Sequence, residues 1–152
     1  MARPPRWVRR FLSDADLEAV AEAIRHSESR TSGEIRVHLE RRLPWRTRDP
    51  LARAQRLFHR LGMHRTHDRH GVLIYVAIRS RRLAVVGDTG IHARVGDEHW
   101  AGVRDLMVER LRADATRDAL VGAVDEVGRE LARHFPRHPD DRNELSDDVS
   151  VR

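Results

Sequence analysis

The chain has 152 residues, 29 basic residues that are all arginine, 24 acidic residues and a formal net charge of +5; it contains no cysteine and no lysine. That length fits one domain, which can bury roughly 70% of its unfolded surface without cross-links. The missing residue types exclude disulfides, thiolate nucleophiles, cysteine-held metal centres, Schiff-base chemistry and the lysine of a phosphate-binding P-loop.

Residues 1–11 form a basic lead-in similar to the n-region of a signal peptide. Where an apolar h-region should follow stands Ser13-Asp14-Ala15-Asp16, so the expectation is no export and a cytoplasmic location. A helix then starts at Ser13, an N-cap with Asp16 three residues on, and Leu17, Val20, Ala21 and Ile24 recur at helical spacing. Ile35, Val37 and Leu39 alternate with Glu34, Arg36, His38 and Glu40, the pattern of a half-buried strand. After a loop, Asp49-Pro50 opens a second helix with Leu51, Ala54, Leu57, Phe58 and Leu61 as its stripe and Gly62 as its stop.

The run from Val72 to Ile78 is unbroken apolar, so it predicts a central strand covered on both faces. It is far too short for a membrane helix, which needs about 20 such residues. Arg79-Ser80-Arg81-Arg82 predicts a turn, and Leu83 to Val86 an antiparallel return strand. Two more helices are predicted, one from Asp97 or Glu98 to Arg112 around Trp100, Val103, Met107 and Leu111, and one from Arg117 to Phe135. The resulting expectation is an α/β fold: a three-layer α/β/α sandwich with a mixed sheet of about four strands. The domain spans 12–138, and 139–152 reads as an acidic, mobile tail.

From Ser32 onward the segments Ser32-Gly-Glu-Ile-Arg-Val37, Leu61-Gly-Met-His64, Gly71-Val-Leu-Ile-Tyr-Val-Ala77 and Val86-Gly-Asp-Thr-Gly-Ile-His92 resemble the TPM domain family. Val95-Gly96, Trp100 and the closing Asn143-Glu-Leu-Ser-Asp-Asp-Val-Ser150 add to the likeness, the last being similar to the short, soluble, stand-alone bacterial branch. The resemblance implies a central sheet between helices, binding of Ca²⁺ or Mg²⁺ in some members, and a debated phosphatase activity.

Topology narrows the place for such a site. A strand, a helix and a second strand over 34–78 make a βαβ unit, so the two strands run parallel and start at one end of the sheet. The returning strand finishes there too; pairing Ile78 with Leu83 would put Asp88 opposite Leu73. Glu34, Asp68 and Asp88 should therefore cluster as hard oxygen donors for Ca²⁺ or Mg²⁺. The competing bland reading makes Gly87-Asp88-Thr89-Gly90 only a turn, Asp68 the partner of Arg65 or Arg69, and Glu34 a solvent-facing strand residue.

The main functional expectation is thus a Ca²⁺/Mg²⁺-binding accessory domain for a protein partner of unknown identity. The alternative is a weak metal-dependent phosphatase, with Arg69 or Arg94 steadying the anion. Its nucleophile would be metal-bound water, because no Gly-x-Ser-x-Gly elbow occurs. His59, His64, His67 and His70 could ligate a transition metal, but Arg65 and Arg69 oppose a dication and a solvated basic loop is the favoured reading. A basic nucleic-acid-binding module is the third reading; interspersed acids and the lack of any clustered basic run disfavour it.

Overall fold

A computed structural model describes residues 4–65, 70–137 and 149–151. Its helices are α1 (Asp14–Glu28), α2 (Pro50–Arg60), α3 (Thr89–Val95), α4 (Asp97–Arg112) and α5 (Thr116–His134). The strands are β1 (Glu34–Glu40), β2 (Gly71–Ala77), β3 (Arg82–Gly87) and β4 (Ser150–Val151), in spatial order β3-β2-β1-β4. As the βαβ pattern requires, β1 and β2 are parallel, from Glu34 beside Gly71 to Glu40 beside Ala77. Among the described residues no helix is long and apolar enough to cross a membrane.

Local chemistry sets the element boundaries. Ser13 and Asp16 form a reciprocal capping box, each side chain accepting from the other's backbone N–H at 2.9–3.0 Å. Asp49 caps α2 ahead of Pro50, and Gly62 ends it with φ +74°, a left-handed conformation that favours glycine. The lead-in is more ordered than its composition suggests: Val8–Arg10 makes a 3-10 turn that drives Val8 into the core.

The sheet has helices on both faces, unequally. Ile35, Val37, Leu39, Val72, Ile74 and Val76 pack with α1, α4 and α5 in the larger core. Leu73, Tyr75, Ala77 and Ala84 meet α2 through Ala54, Leu57 and Phe58 in the smaller one. All seven residues of β2 are buried, as expected for the central strand.

Three expectations are corrected. The hairpin turn occupies 78–81, with Arg81 at φ +54°, so Ala77 pairs with Arg82 and Asp88 falls beside Gly71, two residues beyond Leu73. The unit 139–152 does not stand wholly apart from the domain. Residues 138–148 lie outside the described residues, but Ser150–Val151 adds β4 in parallel to β1 at His38 and Leu39. Ser150 Oγ secures that contact, donating to the Val37 carbonyl at 3.2 Å and lying 2.9 Å from His38 Nδ1.

Finally, β1 is not half-buried. Glu34, His38 and Glu40 are each buried, because β1 is an inner strand flanked by β2 and β4. Glu40 owes its tolerance there to a closed network. Arg53 donates to it bidentately at 2.9 and 2.8 Å, and the Tyr75 hydroxyl donates at 2.7 Å. Burial alone would raise the Glu40 carboxyl, but the hydrogen bonds from Arg53 and Tyr75 hold it below its ordinary value of 4.5. Burial, and then the Glu40 carboxylate, push the Tyr75 hydroxyl far up, so it stays a donor.

Arg53→Met strands the Glu40 charge and should cost about 3–5 kcal/mol in urea unfolding. Tyr75→Phe removes one donor and should cost about 1–3 kcal/mol. Because the folded carboxyl titrates lower than the unfolded one, its contribution is complete above pH 4.5 and lost as pH falls below that value. Acid unfolding of Arg53→Met should therefore show a weaker pH dependence in that window than the parent.

Candidate functional site at the head of the sheet

The strand starts converge around Gly71. Glu34 is its register partner on β1, and the Glu34 N–H donates to the neighbouring His70 carbonyl at 3.3 Å. On the other side the Asp88 N–H donates to the Gly71 carbonyl at 2.8 Å, directly continuing the β2–β3 ladder. Register partners point to the same face of a sheet. Glu34 and Asp88 thus stand on one face, about 10 Å apart at their backbones by two strand spacings. Between them Gly71 contributes no side chain.

Both carboxylates are buried, Glu34 at 5% and Asp88 at 6% exposure. Asp88 is the N-cap of α3: its Oδ1 accepts from the Thr89 N–H at 2.7 Å. Its Oδ2 is buried and has no hydrogen-bond partner among the described residues. A carboxylate oxygen kept from water without a donor is costly, so this atom is a candidate cation ligand. A hard-oxygen pair of this kind suits Ca²⁺ or Mg²⁺.

The third predicted donor, Asp68, lies outside the described residues, as do Arg69 and His67. Among the described residues no group of three or more His, Asp or Glu side chains comes together in metal-binding range. The remaining histidines separate: His59 and His64 have ring centroids 4.8 Å apart, whereas His70 stacks on Phe135 at 3.5 Å. Arg94 of α3 also faces Phe135, with its guanidinium carbon 6.0 Å from the ring, so a cation sits at this end of the sheet.

A groove of about 530 Å³ runs along β3 as far as Gly87, next to Asp88, with Thr89, His92, Asp97 and Trp100 also in its walls. Gly87 is required by packing: a Cβ there would lie 2.8 Å from Ile91 Cγ2 and 3.4 Å from the Trp100 indole nitrogen. Alternation along the sequence could not reveal Asp88's buried, half-satisfied carboxylate. The only signal was two strand starts and one strand finish meeting at one end.

A family model described as TPM domain matches residues 8–130. BA42 protein from the psychrophilic bacterium Bizionia argentinensis has a similar solved structure: TM-score 0.83, 37% identity, covering 93% of this chain and 96% of that one. The N-terminal domain of cg2496 protein from Corynebacterium glutamicum shares the fold, with TM-score 0.58, 16% identity and 86% of each chain covered. No curated protein matches the chain.

Asp88→Ala removes the α3 cap and should cost about 1 kcal/mol in chemical denaturation without divalent cations, whereas Asp88→Asn keeps an acceptor and should cost less. Equal losses would mean that the cap contributes nothing.

Proposed function

This chain belongs to the TPM domain family, and we propose that it is a divalent-cation-binding accessory domain whose donors are Asp88, Glu34 and Asp68. The observation that carries this reading is the buried Asp88 Oδ2, which lacks a hydrogen-bond partner among the described residues and stands across Gly71 from Glu34. Oxygen-only donors favour Ca²⁺ or Mg²⁺ over softer ions. A cation held there would neutralise charge at the sheet end and tie β1 to the β3–α3 corner, presenting a shaped surface to a protein partner.

Ca²⁺ should raise the melting temperature by mass action, because the unfolded chain cannot assemble donors from three segments. Asp88→Asn should abolish that increment while leaving the cation-free protein nearly as stable. Amide NMR shifts on titration should concentrate at residues 33–35, 68–71 and 87–90. Equal Ca²⁺ stabilisation in parent and variant, or shifts elsewhere, would refute the assignment.

The second reading, a weak metal-dependent phosphatase, draws on Arg94, which lies at the same end near Phe135. A bound cation would supply a metal-activated water, and Arg94 would hold the phosphate anion. Hydrolysis of p-nitrophenyl phosphate that disappears with chelator, and again in Asp88→Asn and Arg94→Gln, supports turnover. Cation binding without hydrolysis leaves the accessory domain as the function.

A further inference from the structure

The opposite end of the sheet carries the reverse charge. Where β1 and β2 finish, about 20 Å from Glu34 by strand rise, the chain gathers Arg6, Arg9, Arg10, Arg41, Arg42 and Arg79, all exposed. The fold brings them together from three separate segments. Val8 buries and turns Arg9 and Arg10 outward, while the Arg79 N–H donates to the Arg41 carbonyl at 2.9 Å. Arg6, Trp7, Arg9, Arg10 and Arg41 line one hollow of about 580 Å³.

Among the described residues none of these six guanidinium groups pairs with a carboxylate. Several acids at this end are engaged elsewhere: Asp16 and Asp49 cap helices, Asp114 pairs with Arg81 at 2.9 Å, and Glu40 is held by Arg53 and Tyr75. The crowding is self-repulsive. Arg42, then slight burial, then Arg41 and Arg10 lower the proton affinity of Arg79. Like charges collected without counter-charges are stabilised when a polyanion arrives.

Beside this patch Trp45 is 81% exposed, the most exposed large apolar side chain of the described residues, with the Arg46 guanidinium 5.0 Å from its ring centroid. We infer that this pole binds single-stranded nucleic acid, the arginines following the phosphates through the hollow and Trp45 with Arg46 stacking a base.

The chemistry distinguishes this ligand from an anionic membrane. Guanidinium forks match phosphate oxygens, and an exposed indole beside arginine is the stacking platform that single strands use. A membrane anchor instead needs an indole able to sink below the headgroups, and here the ring carries a stacked guanidinium into any such layer. A concave hollow also fits a strand better than a flat bilayer.

The test is fluorescence anisotropy of labelled 20-mer oligo-dT and oligo-U with the full chain, from 50 to 200 mM NaCl. Binding should weaken with salt, and Arg9→Gln/Arg10→Gln/Arg41→Gln should flatten the log–log salt slope by about 2, at about 0.7 for each phosphate no longer neutralised. Trp45→Ala should weaken binding about five-fold or more with the slope unchanged. A charge-matched control, Arg30→Gln/Arg60→Gln/Arg133→Gln, removes exposed arginines next to the strand starts and should change neither quantity like the patch triple; thermal melts verify folding of each variant. No oligonucleotide binding at 50 mM NaCl overturns the inference. So does an equal effect of the control triple, which would reduce the attraction to net charge. Vesicles with 30% anionic phospholipid that bind through the patch while oligonucleotides do not would assign it to membranes instead.

Discussion

The parallel pairing of β1 with β2 is the contact on which every other feature depends. Glu34 beside Gly71 at one end and Glu40 beside Ala77 at the other set which residues face α2 and which face the larger core. Side chains alternate with period two, so a slip of one residue would turn Glu34, His38 and Glu40 into the larger apolar core and move Ile35, Val37 and Leu39 to the α2 face. The same register puts the small Gly71 between two carboxylates and stacks the 41–43 loop against the 78–81 turn.

That pairing places a polar row inside the protein, and the structure meets much of its cost with specific partners, although His38 Nε2 has no hydrogen-bond partner among the described residues. Glu40 is satisfied by Arg53 from α2 and by Tyr75 from β2, so the network joins three elements across the smaller core. His38 has Ser150 Oγ at 2.9 Å, and burial lowers its proton affinity below the ordinary 6.5, which keeps the ring neutral. Because β4 joins the sheet at this point, the end of the chain closes one edge of β1 and covers its histidine. A hydrogen-bonded core of this kind specifies geometry more sharply than apolar packing, since each bond has a direction.

The two poles divide the chemistry. At the strand starts, Glu34 and Asp88 are buried; at the strand finishes, guanidinium groups are exposed, and among the described residues none of the six pairs with a carboxylate. Under the two proposals above, one small domain would hold a cation at one end and an anionic polymer at the other. Separation by the length of the strands weakens coupling between them, since about 20 Å is roughly twice the Debye length at physiological salt.

Much of the fold was legible because periodicity is a local property. The capping box at Ser13, the proline start and glycine stop of α2, the apolar run of β2 and the stripes of α4 and α5 each depend on neighbours within a few residues. The placement of Glu34 and Asp88 at one end of the sheet, on either side of Gly71, also followed from chain order, since a right-handed crossover and a hairpin leave little topological choice. What sequence could not supply was contact between distant segments. Nothing local says that Glu40 of an alternating strand will find Arg53 and Tyr75, or that Ser150 will return to His38. Nor does it say that arginines at 6–10, 41–42 and 79 form one surface. Net charge is a sum over residues and is readable from composition; a charged patch is a position in space, and only the packed sheet decides it.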